Sequence, residues 1–123
     1  MRIASLALVG AAWALMTTPS LAMCHIDHGI FHVAWNDSIT KRAVSDGVCH
    51  DQYVASGRRE TAFTSATLVS PPHNGTLTKT GPFAFVYRAK SGYKGQDVFT
   101  MKVCGTQAAG SGCSKITYDM TVD

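Results

Sequence analysis

The sequence is poor in charge. Acidic and basic residues make up 15% of its 123 residues, against roughly 25% in ordinary globular domains. Eleven Lys and Arg against eight Asp and Glu leave a formal net charge of +3, and no block of one sign occurs. The cations are scattered as Lys41-Arg42, Arg58-Arg59 and singles, so the concentrated basic patch of a nucleic-acid binder is missing. No Cys-x-x-Cys is present, and the cysteine spacings fit no zinc-site pattern. A Gly-x-Ser-x-Gly elbow is absent, and no convergent set of catalytic groups stands out. Helical periodicity is lacking beyond the N-terminal segment. The apolar run there, Ile3 to Met16, has 14 residues, short of the ~20 that a membrane span needs.

That N-terminal segment is nonetheless informative. Arg2 precedes the run, and Thr17-Thr18-Pro19-Ser20-Leu21-Ala22 follows it, with small residues at 20 and 22. A positive start, a short apolar stretch and a small-x-small exit are the three regions of a secretory signal peptide. Cleavage after Ala22 divides the chain into a leader, 1–22, and one domain, 23–123, with no transmembrane anchor. A lipoprotein reading competes, because Leu21-Ala22-Met23-Cys24 approaches a lipid-attachment pattern, although Met23 is bulky where a small residue is expected. Four cysteines remain in the domain: Cys24, Cys49, Cys104 and Cys113. An even count in a small exported domain reads as two disulfides rather than a metal site. Of the three connectivities, the spacing favours Cys104–Cys113 and, by subtraction, Cys24–Cys49.

Past the leader the residues alternate. Phe83, Phe85 and Tyr87 share one face of 83–87, Phe99, Met101 and Val103 one face of 98–103, and Ile116, Tyr118, Met120 and Val122 one face of 115–122. Period two with aromatic and β-branched residues predicts half-buried antiparallel strands. Further strands are expected near 30–35, with Phe31, Val33 and Trp35 facing the core, and near 43–49 and 62–70. The polar stretch 51–60 reads as loop. Turn signals lie at Pro71-Pro72-His73-Asn74-Gly75, Thr80-Gly81-Pro82, Ser91 to Gly95 and Gly105 to Gly112. Short strands at this spacing predict a sandwich or a barrel. The glycine-rich stretch 105–112 reads as a floppy hairpin tip restrained at its base by a disulfide.

Ala66 to Val122 resembles the second half of bacterial Ig-like or cadherin-like β-sandwich repeats. The residues that carry the likeness are Pro72-His73-Asn74-Gly75-Thr76-Leu77-Thr78, Phe85-Val86-Tyr87, and Gly92-Tyr93-Lys94-Gly95-Gln96-Asp97-Val98-Phe99, followed by the strand 116–122. The resemblance implies an all-β, Ig-like antiparallel sandwich of about seven strands with two disulfides. In its corner element, Gly92 and Gly95 permit the sharp bend, Tyr93 plugs the end of the core, Asp97 caps the turn by accepting backbone N–H groups, and Phe99 begins the buried face. Members of such families occur as tandem repeats, often with acidic calcium ligands. This chain holds one copy and no dense acidic group, so no calcium or other cofactor is implied.

Candidate chemistry is sparse. His25, His28 and His32 would share a helical face, but the run Ile30 to Trp35 argues for a strand and solvent-facing histidines. Cleavage after Ala22 would place His25 third in the chain, where the free amine, two amides and the imidazole can wrap Cu(II) in a square-planar site. Cys49-His50 cannot act together on a strand, since neighbours point to opposite faces. Recognition on a sandwich resides in loops, which makes Arg58 and Arg59 and the tip 105–112 with Gln107 the binding candidates. The combined expectation is a periplasmic or secreted, non-catalytic binding or structural module whose partner is a protein or glycan of the cell envelope. A small hydrolase inhibitor and a copper-binding N-terminus are the alternatives.

Overall fold

The computed structural model describes residues 23–54 and 61–123. The leader 1–22 and the pair Arg58-Arg59 lie outside the described residues. Eight strands form among the described residues: β1 (Cys24–Ile26), β2 (Ser38–Ser45), β3 (Val48–Gln52), β4 (Ala62–Ser70), β5 (Gly75–Gly81), β6 (Ala84–Ala89), β7 (Gly95–Gln107) and β8 (Gly110–Val122). They make a five-stranded sheet in the order β1-β2-β8-β7-β4 and a three-stranded sheet in the order β3-β6-β5. No helix among the described residues is long and apolar enough to cross a membrane.

The period-two faces become the core between the sheets. Phe99, Met101 and Val103 of β7 and Ile116, Tyr118, Met120 and Val122 of β8 are all buried. They meet Phe85 and Tyr87 of β6: Tyr87 stacks on Phe99 at 5.6 Å, and Phe85 meets Tyr118 edge-on at 5.4 Å. Offset and T-shaped aromatic pairs of this kind add about 0.5–1.5 kcal/mol each beyond the area they bury. The fold is an all-β sandwich with both expected disulfides, Cys24–Cys49 and Cys104–Cys113.

Four local expectations change. The sheets are not wholly antiparallel: β2 runs parallel to β8, from Ser38 opposite Lys115 to Ser45 opposite Val122. Alternation reports which face a residue takes, not strand direction, so this pairing was invisible to it. The strand foreseen near 43–49 is two strands, β2 and β3, broken at Asp46-Gly47. Gly47 has φ +128°, and the buried Ser45 hydroxyl braces the corner, accepting from the Gly47 N–H and donating to the Val48 carbonyl. The strand foreseen at 30–35 is instead an extended entry into a single 3-10 turn, Val33–Trp35. The Asp37 carboxylate takes the His32 N–H at 2.7 Å, a local side-chain acceptor that competes with strand pairing. Phe31 and Val33 do face the core, but Trp35 turns outward.

The fourth change concerns the tip 105–112. It is not a floppy loop. β7 runs on through Gln107 and β8 starts at Gly110, leaving a two-residue turn, Ala108-Ala109. Cys104 and Cys113 are directly opposite, with Cα atoms 4.0 Å apart. Gly105 and Gly112 serve close approach, and Gly110 supplies the positive φ of the turn, +134°. A Cβ on Gly112 would lie 2.2 Å from the Val33 carbonyl oxygen, and one on Gly105 would lie 2.5 Å from that of Ala62. Gly112→Ala is therefore expected to push the 3-10 turn off β8 and cost about 1–3 kcal/mol, measurable by chemical denaturation.

The two sides of the sandwich are closed differently. Cys24–Cys49 ties edge strand β1 of one sheet to edge strand β3 of the other. On the opposite side, the Lys79 ammonium of β5 donates to the Ala66 carbonyl of β4 at 2.8 Å, placing a charge over an otherwise open edge. The disulfides span 25 and 9 residues. The loop-entropy relation then gives about 3.5 kcal/mol for Cys24–Cys49 and about 2.6 kcal/mol for Cys104–Cys113. Paired Ser variants are expected to rank in that order in urea midpoint.

Candidate binding surface at the loop end

One end of the sandwich gathers 27–37, Tyr53-Val54, Thr61, 81–84 and the β7–β8 turn. Gln107 joins three of the contributing parts. Its Oε1 accepts the Ala34 N–H at 3.1 Å, and its Nε2 donates to Thr61 Oγ1 at 3.2 Å. Asn36, Asp37 and His32 bind the same region to β8: Cys113 N–H donates to Asn36 Oδ1, Ser114 Oγ to the His32 carbonyl, and Lys115 N–H to the Asp37 carbonyl. Beneath these segments lies a chain of rings, the buried Tyr53 among the half-buried Phe31, Phe63 and Phe83. Phe31 contacts Tyr53 at 6.0 Å and Phe63 at 6.1 Å, and Phe63 contacts Phe83 at 6.0 Å. The apolar side chains flanking the rings point outward: Ile30 is 83% exposed, Val54 70% and Trp35 62%. Trp35 rests on the His32 ring, centroid to centroid 4.2 Å.

A polar network supports this end from inside. The Tyr118 hydroxyl donates to Asp51 Oδ2 at 2.8 Å, and the two phenol oxygens of Tyr53 and Tyr118 lie 2.7 Å apart. Since the Tyr118 proton is committed to Asp51, Tyr53 is the donor of the pair. The Lys41 ammonium completes the group, 4.0 Å from Asp51 and within 6 Å of both ring centroids. Burial pushes both phenols well above their ordinary pKa, and for Tyr118 the neighbouring Tyr53 and Asp51 push the same way. At neutral pH the two rings are thus hydrogen-bond donors, not bases or nucleophiles. Tyr118→Phe, which removes one donor and leaves the Tyr53 hydroxyl unpartnered, is expected to cost about 1–3 kcal/mol in a thermal melt.

Outside the three-stranded sheet, next to the same end, is a shallow hollow of about 320 Å³ lined by His50, Gln52, Thr80 and Ala84 and by Asp51 and Phe85. It exists because Ala84, opposite Gln52 and Gly81, carries too little bulk to fill the centre of the face. A register shift between Lys79 and Gly81 sets Thr80 at its rim.

The described residues singled out from the sequence as binding, metal or corner residues fall in four places. Gln107 belongs to the loop end, where it acts as a brace. The corner lies at the opposite end. There Gly92 and Gly95 adopt φ +76° and +130°, and the Tyr93 hydroxyl donates to the Gln96 carbonyl. Asp97 is 3% exposed and caps more than its own turn. It accepts the N–H groups of His73 at 2.9 Å, Asn74 at 3.1 Å and Val98 at 3.1 Å, and the Tyr87 hydroxyl at 2.6 Å. Phe99 sits in the core. His25 is on β1, exposed, 3.6 Å from Asp27. Backbone bonds from Asp46 N–H to the Met23 carbonyl and from Asp27 N–H to the Arg42 carbonyl bracket it. This alternation commits the His25 amide to β2, so wrapping a Cu(II) ion in backbone nitrogens requires β1 to unpair. Among the described residues, no group of three or more His, Cys, Asp or Glu is placed to hold a metal.

The Lys41–Asp51–Tyr53–Tyr118 group was not foreseen. Tyr118 was legible as a core residue, but Asp51 and Tyr53 read as loop, and nothing in their spacing links them to Lys41. Two disulfides fit an oxidising, extracellular or periplasmic environment. No protein-family model matches the chain, and no curated protein is similar to it in sequence.

Proposed function

We propose that the protein is an exported, non-catalytic, Ig-like binding module of the bacterial envelope, and that it recognises a protein or glycan partner with its loop end. The observation that carries the reading is the set of outward apolar side chains at this end: Trp35, which rests on the His32 ring, and Ile30 and Val54, which adjoin the packed rings of Phe31 and Tyr53 in the chain. A pre-ordered aromatic anchor ringed by polar groups is the usual composition of a binding hot spot. The Ig-like assignment is supported by strand order. β3-β6-β5 and β8-β7-β4 follow the B-E-D and G-F-C orders of immunoglobulin sheets, with β2 added beside the last strand. Export is supported by the leader-like N-terminus and the two disulfides.

The test is retention of the purified domain on envelope fractions. Trp35→Ser with Ile30→Ser is expected to weaken retention at least about 30-fold, the loss of one hot spot. Thr40→Ala with Lys102→Ala, on the outer face of the five-stranded sheet, is expected to leave it unchanged. Equal effects from both pairs, or none from the first, would overturn the assignment of the surface.

The hairpin tip favours a second reading, inhibition of a hydrolase. Ala108 to Ser111 are small and exposed, at the end of a hairpin stapled by Cys104–Cys113. That reading requires Ala108→Trp to abolish inhibition of a target enzyme while the Trp35 variant retains it.

A further inference from the structure

We infer that Asn74 is a self-modifying site, at which the folded chain converts its own asparagine to aspartate or isoaspartate and thereby weakens the Asp97 cap. The chain has two asparagines, Asn36 and Asn74, and the fold treats them oppositely. The Asn36 side chain is held by the Cys113 N–H at 3.0 Å. The Asn74 side chain has no hydrogen-bond partner among the described residues, and glycine follows it.

The attacking group is the Gly75 amide, and the ladder leaves it unused. Lys90 N–H donates to the Asn74 carbonyl at 2.8 Å, whereas Ala89 N–H turns the other way, to the Gly47 carbonyl of the β3 side. Gly75 is opposite Ala89, so it lies between the hydrogen-bonded pairs of β5 and β6, and its N–H points away from β6. β5 is an edge strand, so that direction is open. Asp97 accepts from His73 and Asn74, not from Gly75. Packing also fixes glycine here: a Cβ at 75 would lie 2.6 Å from the Arg88 carbonyl oxygen and 2.7 Å from the Tyr87 ring. The core thereby keeps the attacking nitrogen unhindered by any side chain.

The chemistry is redox-neutral. Base removes the Gly75 amide proton, and the nitrogen attacks Cγ of Asn74. A new C–N bond closes a five-membered succinimide, the Cγ–Nδ2 bond breaks, and ammonia leaves with a proton from water. Water then opens either carbonyl of the ring, giving aspartate or isoaspartate. Each product works against the cap. Aspartate brings a second carboxylate toward the Asp97 carboxylate, which already lies 3.1 Å from the residue 74 nitrogen. Isoaspartate inserts a methylene into the main chain between two engaged groups, the 74 N–H held by Asp97 and the 74 carbonyl held by Lys90.

The test is to hold the folded protein in mildly alkaline buffer and follow intact mass, peptide maps and methyl acceptance from an isoaspartyl methyltransferase. The expected result is a gain of one mass unit and methyl acceptance at residue 74, Asn36 unchanged, and a lower melting temperature in the aged fraction. Asn74→Gln, whose side chain would have to close a six-membered ring, is expected to stay unmodified and to keep its melting temperature. Absence of the mass gain, earlier modification at Asn36, or a modified fraction that melts like the fresh protein would overturn the inference.

Discussion

Asp97→Ala is expected to cost about 3–5 kcal/mol, the largest loss from any single polar truncation in this fold. The buried carboxylate holds together three segments distant in sequence: the turn at 73–74, the strand carrying Tyr87, and its own strand at Val98. Removing it strands a buried phenol and two turn amides at once. Each unsatisfied group costs about 1–3 kcal/mol, and loss of a charged partner lies at the upper end. For a domain of this size the melting temperature should fall on the order of 15–30 °C, read by calorimetry or circular dichroism. Asp97→Asn retains one acceptor oxygen but offers an NH2 group where another acceptor is needed, so it should fall between Asp97→Ala and the wild type. Tyr87→Phe, which removes a donor and leaves the carboxylate its three backbone N–H groups, should cost only about 1 kcal/mol. If Asp97→Ala costs no more than Tyr87→Phe, the carboxylate is not the cap described.

The second large effect is alkaline unfolding. Burial raises the phenol pKa of Tyr53, Tyr87 and Tyr118, and all three rings lie in the core. In the unfolded chain a tyrosine loses its proton near pH 10, while the folded phenols keep theirs. Above about pH 10 the unfolded state thus binds fewer protons than the native one, and stability falls as pH rises. Below that pH the contribution is fully present. Each phenol removes up to about 1.4 kcal/mol per pH unit, so three together remove about 4 kcal/mol per unit. Against a total of about 5–15 kcal/mol, unfolding is expected within roughly 1–4 units above pH 10. The phenolate absorbance of the three rings should appear in the same cooperative step as the loss of β-sheet circular dichroism. Gradual ionisation of all three within an intact sheet signal would refute the mechanism. Tyr118→Phe should flatten the pH dependence by about a third, because one of the three linked protons is gone.

Both effects rest on polar atoms placed inside an apolar pattern, and this is where the sequence was least legible. The alternating runs on β6, β7 and β8 announced their buried faces correctly, because period two is a property of the strand itself. Tyr87 and Tyr118 were therefore recognised as core residues. Their hydroxyl partners were not, because those partners arrive from other strands: Asp97 across the core from β6, and Asp51 from a strand that read as loop. Asp97 was legible as a cap from the Gly-Tyr-x-Gly-x-Asp-x-Phe element, but only for its local turn. Its bonds to His73 and Asn74 depend on two segments meeting at one end of the sandwich.

The tip 105–112 shows the opposite failure. Three glycines and no bulky side chain read as mobility, yet the ladder continues almost to the turn. Gly105 and Gly112 are small because β4 and the 3-10 turn lie against them, a reason that exists only once those neighbours are in place. The loop end follows the same logic. Gln107 was singled out for its position near the turn, and the fold makes it the brace between Ala34 and Thr61.

By itself the sequence determined an all-β fold and which faces of its strongest strands are buried, and it favoured the cysteine pairing that the fold adopts. These are properties of local alternation and spacing, and short-range geometry carries them. The tertiary structure alone decided the parallel pairing of β2 with β8, the break at Gly47, the outward turn of Trp35, and the hydrogen-bonded groups around Asp97 and Asp51. Each joins residues far apart in the chain, and whether a polar group is satisfied depends on what the completed fold places beside it.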